Sequence, residues 1–224
     1  MGSRMPPVES STPSAAGEPL ESSVSGDPRE LVAKRSLPLF AGRSMVLLGI
    51  VLVALNLRAA VAAVSPIVAA ITVDIPLSSF DVGIIGSVPP VAFALAAAFG
   101  AIIARRMGIE RLLVVGILAM IAGQTLRAVS NNFGLFFAGT IIALAGAGLG
   151  NVLLPPLVKK YFADRLGLIT SVYVTLLSPG TAVGAALAAP VATAGGWRLS
   201  LLVGAALALL ALGPWVSVLV AHRR

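Results

Sequence analysis

From Met45 onward the chain is a succession of long apolar runs, and no other feature constrains its fold as strongly. Six such runs lie at about Met45 to Ile71, Phe80 to Ala104, Arg111 to Val129, Phe133 to Val158, Leu166 to Thr193 and Trp197 to Val220. Each is near or above the roughly 20 residues that cross a hydrocarbon core of about 30 Å. The runs are continuously apolar instead of alternating, and lipid forces every backbone amide to find its partner within its own segment, so helices are selected over barrel strands. The expected fold class is an all-α membrane protein of six transmembrane helices. Composition agrees: 11% of the 224 residues are charged and mean hydropathy is +0.99, whereas a soluble domain carries about 25% charged residues.

The formal charge of +7 would suggest nucleic acid in a soluble protein. Here the bases sit in short clusters between apolar runs, so the excess is a topology signal and no nucleic-acid partner is expected. One side holds Lys34, Arg35, Arg43, Arg105, Arg106, Arg111, Lys159, Lys160, Arg165, Arg223 and Arg224, and the other holds Arg127 and Arg198. That asymmetry places both termini in the cytoplasm of a multi-pass protein of the cell (inner) membrane. There is no cysteine, and the single histidine, His222, is near the end, so thiolate chemistry, a buried His base and a His-rich metal site are excluded. The expectation is a non-enzyme without cofactor or metal. Residues 1–43, rich in Ser, Pro, Gly and Glu, read as a disordered cytoplasmic tail. No signal peptide is expected before the bundle, because the first apolar run is roughly twice the length of a signal h-region. Residues 44–224 form the six-helix transmembrane bundle.

Self-comparison divides that bundle into two copies, about 45–129 and 133–220. Gly83 and Ser87 near the start of the second span match Gly167 and Ser171 near the start of the fifth, and Gly108-x-x-Arg111-Leu112 before the third matches Gly195-x-x-Arg198-Leu199 before the sixth. Three spans per copy make the copies enter the membrane from opposite sides, a 3+3 inverted repeat of the kind found in secondary transporters. Chance similarity among Gly- and Leu-rich helices is the competing explanation at this point.

Arg58 stands in the middle of the first span, where a cation costs about 2.5–3.5 kcal/mol on insertion scales and must face a bundle interior or a wet cavity. Two readings are open. In one, backbone carbonyls satisfy it, among them that of Ala62, freed by Pro66. In the other, favoured because no Asp or Glu lies at comparable depth, it awaits an anionic or polar solute. Ser65, seven residues on, shares its face and is a second candidate solute contact. Asn56 points about 200° away, among small residues, and reads first as a packing amide while remaining a candidate contact. In the fourth span, Gly146, Gly148 and Gly150 precede Asn151 and the pair Pro155-Pro156. The prolines strip two carbonyls of their donors, so a locally broken helix is expected, with Asn151 either lining a cavity or packing. Tyr173 in the fifth span is a further candidate, with packing the stronger reading. Arg127 is expected to snorkel to the interface, Trp197 and Trp215 to anchor span ends as belt residues, and Ser79 with Asp81 to cap the second helix.

These residues match a known pattern. Leu55-Asn56-Leu57-Arg58, the Gly-x-x-Arg-Leu after the second span, Gly150-Asn151-Val152-Leu153-Leu154-Pro155 and Gly196-Trp197-Arg198 resemble the N-terminal half of the cyanate-porter branch of the major facilitator superfamily. The resemblance runs from about Arg43 to the end. It implies twelve helices in two six-helix halves, transport of cyanate or nitroimidazole by alternating access, Arg58 and Asn151 turned toward the solute, and Pro155 shaping a kink below it. Helices two and five would meet the other half, expected as a separate chain or a second copy. Two departures stand out. The loop between helices two and three has Arg105, followed by Arg106, where the superfamily places an acid, so the gate there must close otherwise, with Glu110 as the candidate acid. The chain also stops at Arg224, where the loop to the second half is expected. The alternative is a six-helix membrane interaction protein or an inactive fragment.

Overall fold

Proline, glycine and short polar caps decide where the apolar helices begin and end. The structure, a computed structural model, describes Gly2 and residues 43–221; the expected tail up to Gly42, and His222 with the residues after it, lie outside the described residues. Helix α1 (Ser44–Ala62) runs into a 3₁₀ turn at Ser65–Ile67 and resumes as α2 (Val68–Asp74), because Pro66 carries no N–H to continue the ladder. Together they make one apolar stretch, Ser44–Asp74. Helix α3 (Ser79–Met107) starts from a capping box in which Ser78 Oγ accepts from the Asp81 N–H and Asp81 Oδ2 accepts from the Ser78 N–H at 2.8 Å. The capping residue is thus Ser78, one position before the expected Ser79, which already lies in the helix. Helix α4 (Ile109–Ala128) follows across Gly108, and α5 (Phe133–Tyr161) opens on Asn132, whose side chain accepts from the Leu135 N–H. A turn at Ala163–Arg165 leads to α6 (Leu166–Ala221).

The described residues therefore form an all-helical protein with five long apolar helices. The last, at 56 residues, would measure about 84 Å if straight, far more than a bilayer core of about 30 Å. It is not straight. Gly195 (φ −140°, ψ 15°) and Gly196 (φ 82°, ψ 160°) leave the helical region and divide it into arms 166–194 and 197–221. Gly180 packs on Leu55 and Gly184 on Ala59, so the first arm runs in the same sense as α1. The second arm runs the opposite way, since Asn56 meets Leu207 and Gly49 meets Trp215. Gly108, at φ 87° and ψ 146°, is the other positive-φ residue among those described. The sequence match paired Gly108 with Gly195, whereas the positive-φ residue at the second site is Gly196, one residue further on.

Helix α5 sits at the centre, and its glycines seat it. A methyl group added at Gly146 would stand 2.3 Å from Gly116 O of α4, one at Gly148 2.9 Å from Ala96 Cβ of α3, and one at Gly150 2.6 Å from Leu57 Cδ2 of α1. Without a hydrophobic drive between helices in lipid, such backbone approaches supply the packing energy. The expected break in this helix is absent: α5 stays helical through Pro155 and Pro156 to Tyr161. Two adjacent prolines remove only two N–H groups, their fixed φ is helical, and the upstream glycines serve as contact surfaces instead of hinges. Trp197 and Trp215 are 4% and 0% exposed, buried within the bundle and not standing in a lipid-facing belt. Position near a span end does not decide exposure; the face each occupies turns it inward.

Candidate functional site

Arg58 is half-buried at the centre of the Ser44–Asp74 stretch. Its chain neighbours define where it lies. Leu57 packs on Gly150 of α5 and Ala59 on Gly184 of α6, so Arg58, about 100° from each, faces the angle between those two helices. Among the described residues its guanidinium has no hydrogen bond or ion pair, and the Ala62 carbonyl released by Pro66 does not take it up.

Asn151 is exposed, and its amide too has no hydrogen bond among the described residues. It follows Gly150 as Arg58 follows Leu57. Helices α1 and α5 are antiparallel, because Leu57 meets Gly150 while Val61, further along α1, packs against the small cluster that holds Leu144, further back on α5. In an antiparallel pair the residue after each contact residue turns to the same side. Arg58 and Asn151 are accordingly brought to one side of the α1–α5 seam at one depth. A planar fork of N–H donors beside an amide suits a small planar anion or a polar acceptor group.

The other sequence candidates lie elsewhere. Asn56 is buried and donates to Leu207 O at 2.9 Å and Leu52 O at 3.2 Å, tying α1 to the second arm of α6. Ser65 is exposed at the head of the 3₁₀ turn, which interrupts the helical register connecting it to Arg58. Tyr173 is buried in a core cluster with Val46 and Ile50, two turns from Gly180 toward the Lys/Arg-rich end. Pro66 lies in the turn after α1, and Pro155 and Pro156 are exposed on α5. Arg105 and Arg106 are exposed at the end of α3. Glu110 pairs with neither of them: it accepts from Lys160 Nζ and, at 2.9 Å, from Tyr161 Oη at the end of α5.

Three polar groupings escaped the sequence reading. Arg127 does not snorkel. It is 1% exposed, donating from Nε to Thr140 Oγ1 and from Nη1 to Gln124 Oε1, both at 2.9 Å, with the Phe136 ring 5.8 Å away. Neighbouring α5 covers it and provides the hydroxyl, which removes the need to reach water. Asp74, ending α2, accepts from Trp197 Nε1 at 3.0 Å and from Arg198 Nη1, while Arg198 Nη2 reaches Asn131 Oδ1 and Ser130 O. Arg43 pairs with Asp164 at 2.7 Å. The Gln124 and Arg127 spacing was the one signal available in advance.

A bundle of long apolar helices, each long enough to cross a hydrocarbon core, defines a class: polytopic membrane proteins. The comparison with known families makes this specific. The model for the Major Facilitator Superfamily matches residues 46–224, and the chain belongs to that family. It is similar to the uncharacterized transporter YycB of Bacillus subtilis (strain 168), 33% identical over 173 residues, covering 76% of this chain and 43% of the relative. It is similar also to the 2-nitroimidazole transporter of Escherichia coli (strain K12), 34% identical over 175 residues, covering 78% and 44%. The chain spans less than half the length of these two relatives. Membership implies a multi-pass membrane protein of a transporter family and not an enzyme.

Proposed function

We propose that this chain is the N-terminal half of a secondary transporter that moves a small anion or polar nitrogen compound, such as cyanate or a nitroimidazole, across the cell membrane by alternating access. The arms of α6 count as two crossings, giving six spans with both termini cytoplasmic, arranged as a 3+3 inverted repeat. Supporting this, the helices beginning at Ser44, Ser79 and Ile109 are answered about 88 residues later by Phe133, Leu166 and residue 197. A second six-helix half, a separate chain or another copy, completes the cavity. The observation that carries the reading is Arg58, a midspan guanidinium without a protein partner among the described residues, set beside Asn151.

The test is binding and uptake of cyanate and 2-nitroimidazole by cells expressing the chain with its second half. Arg58→Ala is expected to lower affinity about tenfold or more, the loss of one charge-assisted pair of about 1.4 kcal/mol or above, while Arg58→Lys retains part of it. Unchanged uptake in Arg58→Ala would remove the residue from the solute path and the proposal with it.

A further inference from the structure

Away from the Arg58 side, α3 and α5 enclose a long apolar groove of about 510 Å³. Val91, Leu95, Phe99 and Ile103 form one wall, and Ile141 and Ala145 the other. From Ile84 to Ile103 it follows α3 for about 28 Å, the depth of a hydrocarbon core.

The two faces of α3 differ in kind. Gly83, Gly86, Pro90, Ala94, Ala97 and Ala101 make an exposed small-residue face, which suits close approach of another helix. The groove face instead carries exposed, bulky, branched and aromatic side chains, with Val91, Leu95 and Phe99 each more than half exposed. That is a lipid surface. Its mouth at the Lys/Arg-rich end is charged. Arg106 lies two turns beyond Phe99 on the same face, and Lys159 two turns beyond Val152. A methyl at Gly100 would touch Val152 Cγ1 at 3.5 Å, so the two cations come to the same level. Both are exposed, and neither has a hydrogen bond or ion pair among the described residues.

We propose that this groove binds one anionic phospholipid, its acyl chain along α3 and α5 and its phosphate between Arg106 and Lys159. Embedding in a membrane is all it requires; it does not depend on the identity of the solute. A cation near a lipid surface is worth about fivefold in affinity, so the pair discriminates anionic from zwitterionic headgroups by about thirtyfold.

The test uses the full chain in mild detergent, with phosphatidylglycerol or phosphatidylcholine of identical acyl chains added and retained lipid counted by native mass spectrometry. One phosphatidylglycerol is expected to stay bound where phosphatidylcholine does not. Arg106→Gln with Lys159→Gln should bring the two lipids level without touching the groove wall. Ala145→Trp, filling the groove, should expel the phosphatidylglycerol, with thermal unfolding confirming that the variant is folded. Equal retention of the two lipids, or undiminished phosphatidylglycerol on either variant, overturns the proposal. So does a dimer that Ala145→Trp abolishes, which would seat a second copy there instead.

Discussion

The α4–α5 seam gives the sharpest quantitative test of the fold. A methyl at Gly123 would lie 2.3 Å from Ala143 N, 2.6 Å from Gly139 O and 2.7 Å from Ala143 Cα. All three are backbone atoms of a helix and cannot rotate away. Ordinary contact begins near 3.5 Å, so Gly123→Ala must part the helices by about 1 Å. The same parting loosens Gly116 against Gly146 further along, where the approach is equally close. Overpacking of this kind costs about 1–3 kcal/mol, partly offset by the roughly 0.5–1 kcal/mol that alanine gains over glycine within a helix. The net loss, centred at about 1 kcal/mol and reaching up to about 2.5 kcal/mol, corresponds to a Tm lower by about 3 °C at the centre of that range, read by circular dichroism in detergent. Gly86→Ala is the control, because nothing lies within 4 Å of the added methyl; only the propensity gain remains, and Tm should rise slightly. If Gly123→Ala unfolds at or above the wild-type temperature, the helices are not seated backbone to backbone and the packing argument fails.

Asn56→Leu should lower Tm by the loss of one interhelical hydrogen bond, about 0.6–1.7 kcal/mol in a membrane bundle, whereas Asn151→Leu should leave Tm unchanged and weaken solute binding; thermal unfolding and a binding titration separate the two amides. Gln124→Leu should destabilise more than Arg127→Met, because the first leaves a buried cation with fewer acceptors and the second removes the cation; the order of the two unfolding midpoints decides it. At the other end of the bundle, Asp74→Arg combined with Arg198→Asp should unfold at a higher temperature than either single variant, and a double-mutant cycle with no coupling would deny that the pair interacts.

The helices were legible from sequence because continuous apolarity needs no knowledge of neighbours: lipid sets the length, although the cap of α3 was placed at Ser79, one residue after the Ser78 that makes it. Faces were less legible. Counting residues placed Arg127, Trp197 and Trp215 toward the ends of their apolar runs, but whether such a side chain meets lipid or another helix depends on what packs there. For Arg127 the deciding partner, Thr140, belongs to the next helix. The glycines of α5 misled for a related reason. Beside a proline pair they suggested a hinge, and only the approach of Gly116, Ala96 and Leu57 shows that their missing side chains are filled by three different neighbours. At the candidate site, the midspan position of Arg58 in the chain was readable, while its juxtaposition with Asn151 required the Leu57–Gly150 contact and the antiparallel sense of the two helices.

If the bundle is the 3+3 repeat proposed above, the ion pairs explain why the repeat is faint in sequence. Matching arginines aligned Arg111 with Arg198, but the positive-φ residues are Gly108 and Gly196, and counting from them aligns Glu110 with Arg198. Each is the second residue after its turn glycine, and each bonds to the end of the first span of the opposite copy: Glu110 to Lys160 and Tyr161 closing α5, Arg198 to Asp74 closing α2. The two contacts occupy equivalent places at opposite ends of the bundle with the sign of every charge reversed. A comparison that scores residue identity penalises such a pair twice, although the physical requirement, a charge-assisted clasp across the seam between the copies, is met in both. Under an inverted arrangement the two clasps hold the copies together from both membrane faces. In the proposed transporter such clasps would let the six spans move as one body, which is what rocking of one half against another demands of each half.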